Sequence, residues 1–256
     1  MLPQFSGADH PMNRHGLSVT VPAEIKRQVR QECGFGCVFC GLAIADYHHF
    51  DPEFCDATVH DPQKIALVCP THHGHLTRRM WSNDGVAAAR RAPKTFRKGC
   101  AHDCFDIREP FELFVGKSRF RDVRCVVRKA STGDEWFSIQ PAEAPGAPPR
   151  ISAKFYASNG VPELEIDRNE WRCSTDVWDL EIEGPRIVVR RRHGEPTLRL
   201  RARPPHGLEI EYLKMSFGDA GIEVQSDGTV LLTVAGTTIS THADDVLGGD
   251  VVFSVP

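Results

Sequence analysis

One short stretch of the chain concentrates thiol and imidazole side chains. Residues 37–73 hold four of the nine cysteines and five of the twelve histidines. Within it, Cys37 and Cys40 form a Cys-x-x-Cys pair, and Cys69 and His72 form a Cys-x-x-His pair. Two close pairs of such ligands, separated by a longer segment, are the spacing that tetrahedral zinc favours. The sequence therefore predicts a structural Zn²⁺ site that stabilises a module too small for a large core.

Histidines beside this site offer a second kind of chemistry. The segment "IADYHHF" has the composition of a strand, and His73 directly follows a predicted zinc ligand at the start of a helix. A zinc ion that joined this strand to this helix would bring the imidazoles of His48, His49 and His73 to one place. Neutral imidazoles bind divalent ions and accept protons near neutral pH. His60 and His75 are interpreted as solvated or hydrogen-bonded side chains.

One geometric condition applies to this interpretation. Adjacent residues on a regular strand point to opposite faces, so His48 and His49 share a centre only at a strand end, a bulge or a sharply twisted hairpin. Pro52 follows closely and cannot donate a hydrogen bond to a neighbouring strand, which favours a strand end at this point.

Four motifs carry a resemblance to a known family. "CVFC", "YHHFDP", "DPQKIALVC" and "CPTHH" follow one another in the order and spacing of the zinc-stapled HNH endonucleases, and residues 24–82 resemble that family. The resemblance implies a ββα-metal fold and hydrolysis of phosphodiester bonds in DNA. It also implies a role for each motif residue: structural Zn²⁺ on Cys37, Cys40, Cys69 and His72, a catalytic ion (Mg²⁺ or another divalent ion) on His48 and His73, and the general base at His49.

The chain departs from the family pattern at one position. Where the family has an asparagine that orients the general base, this sequence has Gln63 or Lys64, depending on how the spacing to Cys69 is counted. Gln63 carries the same amide one methylene further out, whereas Lys64 cannot accept a hydrogen bond and would disfavour a nearby imidazolium. A non-catalytic zinc-binding module for nucleic acid or protein is therefore the alternative to a nuclease.

Basic residues directly follow the predicted site. Between Arg78 and Lys98 there are seven cations and a single acid, Asp84. This excess predicts contacts with a nucleic-acid backbone, and a solvated helix face is the alternative. The residues expected to contact DNA are Arg78, Arg79, Arg90 and Arg91.

A second arginine-rich run lies in the C-terminal half. Strand alternation would place Arg199, Arg201 and Arg203 on one face, where they either hold nucleic acid or form ion pairs across a sheet. Cys100, His102 and Cys104 form a partial cluster that is interpreted as free thiols rather than as a second metal site.

Three helices are predicted around the cysteine- and histidine-rich stretch. Pro22, with apolar residues Ile25 and Val29 four positions apart, predicts an amphipathic helix that ends before Gly34. A second helix is expected from about Thr71 through "HGHLTRRMWS". A third covers "DGVAAARRA" and ends before Pro93.

From Phe111 onward the pattern changes to strands. Short runs with alternating apolar and polar residues recur between turns, which is typical of a sandwich, a barrel or a small solenoid. The predicted fold class is α+β: a small zinc-stapled ββα-metal module, followed by an all-β sandwich or solenoid-like region. The predicted domains are residues 1–105 and 106–256, with a proline-rich connector near 141–150.

Composition limits the class of protein. The 256 residues are 41% hydrophobic and 25% charged, as in an ordinary globular chain, and the net charge of −3 argues against binding nucleic acid through the whole surface. The N-terminus lacks an apolar signal core, and the cysteine count is odd, so reduced thiols and a cytoplasmic location are expected. No apolar run approaches the roughly 18 residues of a membrane span. DNA is the expected partner, and no membrane is expected.

Overall fold

The structure is a computed structural model that describes residues 11–129, 133, 135–157, 159–217, 220–241 and 246–255. The chain divides into two compact units, one through Lys98 and one from Gly99. Helices lie in the first unit and antiparallel strands dominate the second, so the general expectation of a mixed α and β chain is confirmed. The predicted boundary at 105/106 lies later than the observed one, because Cys100–Cys104 forms a strand that pairs within the second unit.

The described residues of the first unit form four helices. The amphipathic helix Ala23–Glu32 (α1) follows Pro22 as predicted. Ser82 caps the helix Asn83–Arg91 (α3) through its hydroxyl group, which accepts a hydrogen bond from the backbone of Gly85. The shortest helix, α4, begins directly after Pro93 and was not predicted. The bounds are Ala23–Glu32 (α1), Pro70–Thr77 (α2), Asn83–Arg91 (α3) and Lys94–Lys98 (α4).

Helix α2 is shorter than the sequence predicted. Arg79 has a φ of 58°, a left-handed conformation that interrupts the helical hydrogen-bond ladder. The backbone amides of Met80 and Trp81 then both donate to the carbonyl of His75. The chain therefore folds back over α2 instead of continuing as a helix to Trp81.

A two-stranded hairpin forms the centre of the first unit. Strand β1 (Asp46–His49) pairs antiparallel with β2 (Ile65–Val68), and His49 lies opposite Ile65. All four residues of β2 are buried, and a 3-10 turn at Pro62–Lys64 leads into it. The core around this hairpin also contains apolar side chains from α1, α2 and α3, namely Val29, Leu76 and Val86.

The described residues of the second unit form one sheet of fifteen strands. Alternating burial along strands such as β7 and β8 shows one buried face and one exposed face, as period-2 patterning requires. The strands are β3 (Cys100–Cys104), β4 (Glu112–Val115), β5 (Ser118–Lys129), β6 (Glu135–Gln140), β7 (Arg150–Tyr156), β8 (Pro162–Asp167), β9 (Glu170–Ser174), β10 (Asp179–Glu183), β11 (Arg186–Arg192), β12 (Glu195–Arg203), β13 (Gly207–Phe217), β14 (Ala220–Val224), β15 (Val230–Val234), β16 (Thr237–Thr241) and β17 (Val246–Val255).

The strands of the second unit follow a mainly antiparallel order, and their arrangement as a sandwich or a solenoid-like region stays a prediction. Strands β5 and β13 are long, and each pairs with three neighbours, so hydrogen bonds join all fifteen strands into one sheet. Two of these pairings, β13 with β4 and β17 with β5, are parallel, and the other pairings are antiparallel. The proline-rich connector joins the antiparallel neighbours β6 and β7. Among the helices of the described residues, none is long and apolar enough to cross a lipid bilayer.

Candidate metal centre and histidine cluster

A tight turn presents the first pair of cysteines. The amide of Gly41 donates to the carbonyl of Cys37 at 2.8 Å, and the amide of Cys37 donates to the carbonyl of Leu42 at 2.8 Å. Gly41 has a φ of 90°, a conformation that glycine adopts readily because it has no Cβ atom. A Cβ atom on Gly36 would lie 2.7 Å from the carbonyl oxygen of Gly41. Glycine at both positions therefore allows the turn to bring Cys37 and Cys40 together.

The end of strand β2 and the start of helix α2 present the second pair. Cys69 is the N-cap residue of α2, and Pro70 at the first helical position has the fixed φ that suits a helix start. The amide of His73 donates to the carbonyl of Cys69 at 2.8 Å, which forms the first turn of the helix. His72, three residues after Cys69, thus lies on the same face as its thiol.

The two pairs converge in space. The ligand atoms of Cys37, Cys40, Cys69 and His72 all lie within 4.8 Å of one another. The Sγ atoms of Cys40 and Cys69 are 3.8 Å apart, and Nδ1 of His72 is 3.4 Å from Sγ of Cys37 and 3.1 Å from Sγ of Cys69. Tetrahedral zinc, with bonds of about 2.3 Å to sulfur and about 2.0 Å to nitrogen, separates its ligand atoms by about 3.5–3.8 Å. The four residues could therefore hold a zinc ion with little rearrangement.

The surroundings of Cys37 favour its thiolate, which is the form that binds metal. The pKa of Cys37 is lowered to about 4, mainly by a hydrogen bond with the thiol of Cys40 and also by backbone amides at Cys69, Phe39 and Cys40, although burial opposes the change. The same hydrogen bond and burial raise the pKa of Cys40. One thiolate and one thiol thus share a proton here, and a bound cation would replace that proton.

Aromatic rings cover His72. The ring of Trp81 lies 4.9 Å from the His72 ring and stacks on His75, with 5.2 Å between those centroids. Phe39 approaches His72 from the Cys37–Cys40 turn at 5.1 Å. Trp81 is still 41% exposed. Its indole therefore lies between the metal ligands and solvent.

The second predicted set of histidines comes together in part. The rings of His48 and His73 are perpendicular, with 5.2 Å between centroids. Nε2 of His48 lies 3.2 Å from Oδ1 of Asn83, and Nδ1 of His73 lies 3.3 Å from Oδ2 of Asp46. A carbonyl or carboxylate oxygen accepts a hydrogen bond, so each ring carries its proton on the bonded nitrogen. Nδ1 of His48 and Nε2 of His73 are then the nitrogens available as metal ligands.

These residues do not form a second complete ligand group. Within the described part of the chain, three or more cysteine, histidine or acidic ligand atoms come within 4.8 Å of one another at the Cys37, Cys40, Cys69 and His72 cluster alone. His48 and His73 thus supply two imidazoles, and solvent or a substrate oxygen would have to supply the other ligands. Burial is the main cause that lowers the pKa of His48, which favours its neutral, metal-binding form.

His49 is directed to a different partner. It is 7% exposed, and its Nε2 atom lies 3.0 Å from Nδ1 of His60. Its ring also packs against Phe54 at 5.4 Å. Burial, followed by the charges of His60 and His48, lowers the pKa of His49 to about 4. His49 is therefore neutral at neutral pH, as a general base must be.

Gln63 and Lys64, the two candidates for the asparagine position, make other contacts. The side-chain amide of Gln63 donates to both carboxylate oxygens of Glu32 at 3.0 Å. Nζ of Lys64 donates to Asp51 at 2.6 Å. Each side chain thus has an acidic partner, and the described hydrogen bonds join neither of them to His49.

A chain of polar contacts supports His48. Asn83, whose Oδ1 atom faces His48, donates from Nδ2 to Glu53 at 3.0 Å. Glu53 in turn accepts two hydrogen bonds from the guanidinium group of Arg79. These hydrogen bonds lower the pKa of Glu53, with that to Arg79 as the main cause. Glu53 is therefore a carboxylate that fixes the orientation of the Asn83 amide.

The predicted DNA-binding arginines differ in their surroundings. Arg90 is 10% exposed, and it donates to the carbonyls of Ile65 and Glu32, both at 3.1 Å, as well as to the Glu32 carboxylate. Arg79 is bound to Glu53, whereas Arg78 and Arg91 lie at the surface. Arg90 therefore stabilises the fold, and Arg78 and Arg91 remain the predicted phosphate contacts.

The arginines of β12 make ion pairs and a cation–π contact. Arg203 is paired with Glu209 at 2.7 Å, Arg201 lies 3.5 Å from Glu211, and Arg199 lies over the ring of Tyr212. Of the two alternatives for this run, these contacts favour ion pairing across the sheet.

Three side chains beside the histidines were not predicted to take part. Asp46 precedes His48 by two positions, so strand alternation was a signal that could have found it. His60 was interpreted as a solvated or hydrogen-bonded side chain, and Asn83 lies far from the motif in sequence, with no signal of its own. These residues supply the hydrogen bonds to the three histidines of the motif.

Comparisons of the chain with models of known protein families, with curated proteins and with solved structures find no match.

Proposed function

We propose that the first unit is a metal-dependent endonuclease of the HNH type that hydrolyses phosphodiester bonds in DNA. The observation that carries this proposal is the paired geometry of His48 and His73, with the buried, neutral His49 adjacent to His48 at the end of β1. The ring centroids of His48 and His73 lie 5.2 Å apart. Each of these two rings has one nitrogen hydrogen-bonded to an oxygen and the other available as a metal ligand. The ββα order of β1, β2 and α2 supports the same proposal.

The Cys37, Cys40, Cys69 and His72 cluster has a structural role in this proposal. A bound zinc ion would join the turn after α1 to the start of α2. His48 on β1 and His73 on α2 lie in elements that this ion holds together. A site of this kind contributes folding free energy to a small unit, on the order of 10 kcal/mol.

The proposed reaction assigns one task to each histidine. A divalent ion on His48 and His73 would neutralise charge on the scissile phosphate and on the leaving oxygen. His49 accepts a proton from water, the resulting hydroxide forms a bond to phosphorus, and the bond from phosphorus to the leaving oxygen breaks. The proton held by His49 then passes to solvent or to the leaving oxygen. A correctly placed base of this kind contributes about 10² to 10⁴ in rate.

DNA contacts are assigned to the surface arginines. Arg78 at the end of α2 and Arg91 at the end of α3 carry exposed guanidinium groups in this unit. Contacts of this kind with the phosphate backbone add affinity without sequence preference. Cleavage is therefore expected to show low sequence specificity.

A non-catalytic zinc-binding module is the rival proposal. It is favoured by the contacts of Gln63 with Glu32 and of Lys64 with Asp51, because these side chains do not orient His49. It needs only the Cys37, Cys40, Cys69 and His72 cluster.

A cleavage assay distinguishes the two proposals. Supercoiled plasmid is incubated with the zinc-loaded chain and Mg²⁺ or Mn²⁺, with a chelator in a parallel reaction, and nicked and linear products are measured. The nuclease proposal expects metal-dependent cleavage that His49→Ala abolishes and that His15→Ala, an exposed control in the same unit, leaves unchanged. Zinc content and thermal unfolding are compared first, so that a folding defect is recognised. If wild type cuts with neither ion, the rival proposal is favoured.

A further inference from the structure

We propose that His60 is the positioning residue of the general base, and that it takes the place of the asparagine that the family pattern would supply. This inference rests on the proposed nuclease function, because it assigns an orienting partner to His49. Its basis is the contact between Nε2 of His49 and Nδ1 of His60 at 3.0 Å.

The contact fixes the direction in which His49 presents its ring. His49 is the last residue of β1 and is 7% exposed, so its ring has little freedom to rotate. Phe54 packs against one side of this ring, and the ring of His60 lies 5.2 Å away at an angle of 51°. Packing thus limits the ring position, and the hydrogen bond to His60 selects which nitrogen faces away from the partner.

The same contact determines where His49 carries its proton. Two neutral imidazole nitrogens at 3.0 Å share one hydrogen, so one ring donates and the other accepts. If His49 donates from Nε2, its Nδ1 atom keeps a lone pair and can take a proton from water. If His60 donates instead, His49 carries its proton on Nδ1 and cannot act as a base from that atom. We assign the first arrangement, in which the Nδ1 atom of His60 accepts.

The backbone of Ser18 near His60 is consistent with this assignment. The backbone of Ser18 raises the pKa of His60, against the larger effect of burial, as an acceptor near a ring N–H group does. Nε2 of His60 is buried, and within the described residues it makes no hydrogen bond of ordinary geometry. A proton on Nε2 leaves Nδ1 of His60 as the acceptor for His49.

No other described side chain offers His49 this hydrogen bond. Gln63 and Lys64 are bound to Glu32 and Asp51. In sequence, His60 lies three or four residues before the position where the asparagine is expected, and that position falls within the 3-10 turn at Pro62–Lys64. His60 is therefore placed to supply the acceptor from an adjacent loop.

Substitutions at His60 test the role, because an asparagine amide reproduces the position of Nδ1 but not of Nε2. His60→Ala and His60→Leu remove the acceptor, and the leucine variant keeps most of the side-chain volume. His60→Asn restores an acceptor oxygen close to the place of Nδ1. We expect kcat to fall about 10- to 100-fold in His60→Ala and His60→Leu, the range typical of lost orienting partners. KM is expected to stay within about twofold, and His60→Asn to recover most of the rate.

A measurement of the proton position complements the kinetics. In the full-length zinc-loaded chain with ¹⁵N-labelled histidine, two-bond nitrogen–proton correlations report which nitrogen of His49 carries the proton. We expect the Nε2–H form in wild type and in His60→Asn, and a mixture of both forms in His60→Ala. A folded variant with unchanged zinc content is required for each comparison.

The outcomes separate this inference from the proposed function. If wild type cleaves DNA and all three His60 variants cleave equally well, His60 has no positioning role, although the nuclease proposal stands. An Nδ1–H form of His49 in wild type overturns the assignment whatever the cleavage rate. If wild type cleaves no DNA, the proposed function fails and the role of His60 fails with it. Cleavage lost in His60→Ala and restored in His60→Asn supports both.

Discussion

The Nδ1 atom of His72 lies 3.1 Å from the Sγ atom of Cys69, three residues earlier on the first turn of helix α2. The same nitrogen is 3.4 Å from Sγ of Cys37, which lies in the turn between α1 and β1. Nδ1 of His72 therefore lies close to a thiol of each ligand pair, as ligands of one tetrahedral ion must.

Substitution of Cys69 is expected to release zinc and unfold the first unit. Cys69→Ser removes one of four ligands, whereas Cys55→Ser, at an exposed cysteine of the same unit, serves as the matched control. Metal analysis should find one zinc ion per chain in wild type and in the control, and much less in Cys69→Ser. Circular dichroism should show loss of helix in the same variant and after treatment with a strong chelator. Full zinc occupancy in Cys69→Ser would contradict the assigned ligand set.

Trp81→Ala is expected to make zinc leave faster. The indole covers the His72 ring and stacks on His75, so its removal admits water to the ligand side chains. An altered apolar shell of this kind changes metal affinity by about 10-fold or more. The measurement is the rate of zinc transfer to a colorimetric chelator. Met80→Ala, at the adjacent and more exposed position, should transfer zinc at the wild-type rate.

Stability is expected to depend on pH through His49. Burial, with the charges of His60 and His48, lowers its pKa from 6.5 to about 4 in the folded chain. Between these values the unfolded chain binds more protons, so the free energy of unfolding that His49 contributes is complete above about pH 6.5 and falls as the pH drops. Over the whole window the loss is about 3 kcal/mol.

Denaturant unfolding of wild type and His49→Gln measures this dependence. Glutamine is polar but does not titrate, so the difference in unfolding free energy between the two proteins should be about 2 kcal/mol smaller at pH 5 than at pH 7.5. Excess zinc keeps the metal site occupied at both pH values, and a metal assay checks that its occupancy is equal. A difference that does not change with pH would show that His49 titrates normally in the folded chain.

Arg90 and Arg91 are adjacent in sequence and are expected to act differently. Arg90→Leu removes hydrogen bonds to Ile65, Glu32 and Pro62, and it leaves the Glu32 carboxylate without a cation, so we expect a loss of about 2–4 kcal/mol in unfolding free energy. Arg91→Ala, at an exposed position, should change stability by less than about 0.5 kcal/mol.

DNA binding, unlike stability, is expected to depend on Arg91. If Arg91 contacts phosphate, Arg91→Ala lowers affinity for duplexes of any sequence and reduces the salt dependence of binding by about one ion. Arg78→Ala should behave in the same way. Fluorescence anisotropy at several salt concentrations measures both quantities. Unchanged affinity and salt dependence in the double variant would remove these arginines from the proposed interface.

The sequence alone determined the features that depend on local spacing. Ligand pairs such as Cys37–Cys40 sit on single turns, so their separation along the chain already predicts a shared ion. Helices α1 and α3 also follow from local signals, since Pro22 and Ser82 begin them and the apolar periodicity faces the core. The alternating runs in the C-terminal half predicted strands for the same reason.

Tertiary structure decided the features that depend on which distant residues meet. His60 and Asn83 reach the motif histidines through the fold of the loop after β1 and the position of α3, and no local pattern specifies either contact. The hydrogen bonds of Arg90 with the backbone of Ile65 and Glu32, and the joining of the described strands by long β5 and β13, are likewise set by packing and by strand pairing. Hydrogen-bond partners far apart in sequence leave no periodic signal. The sequence therefore identified the candidate histidines, and only the fold determined their hydrogen-bond partners.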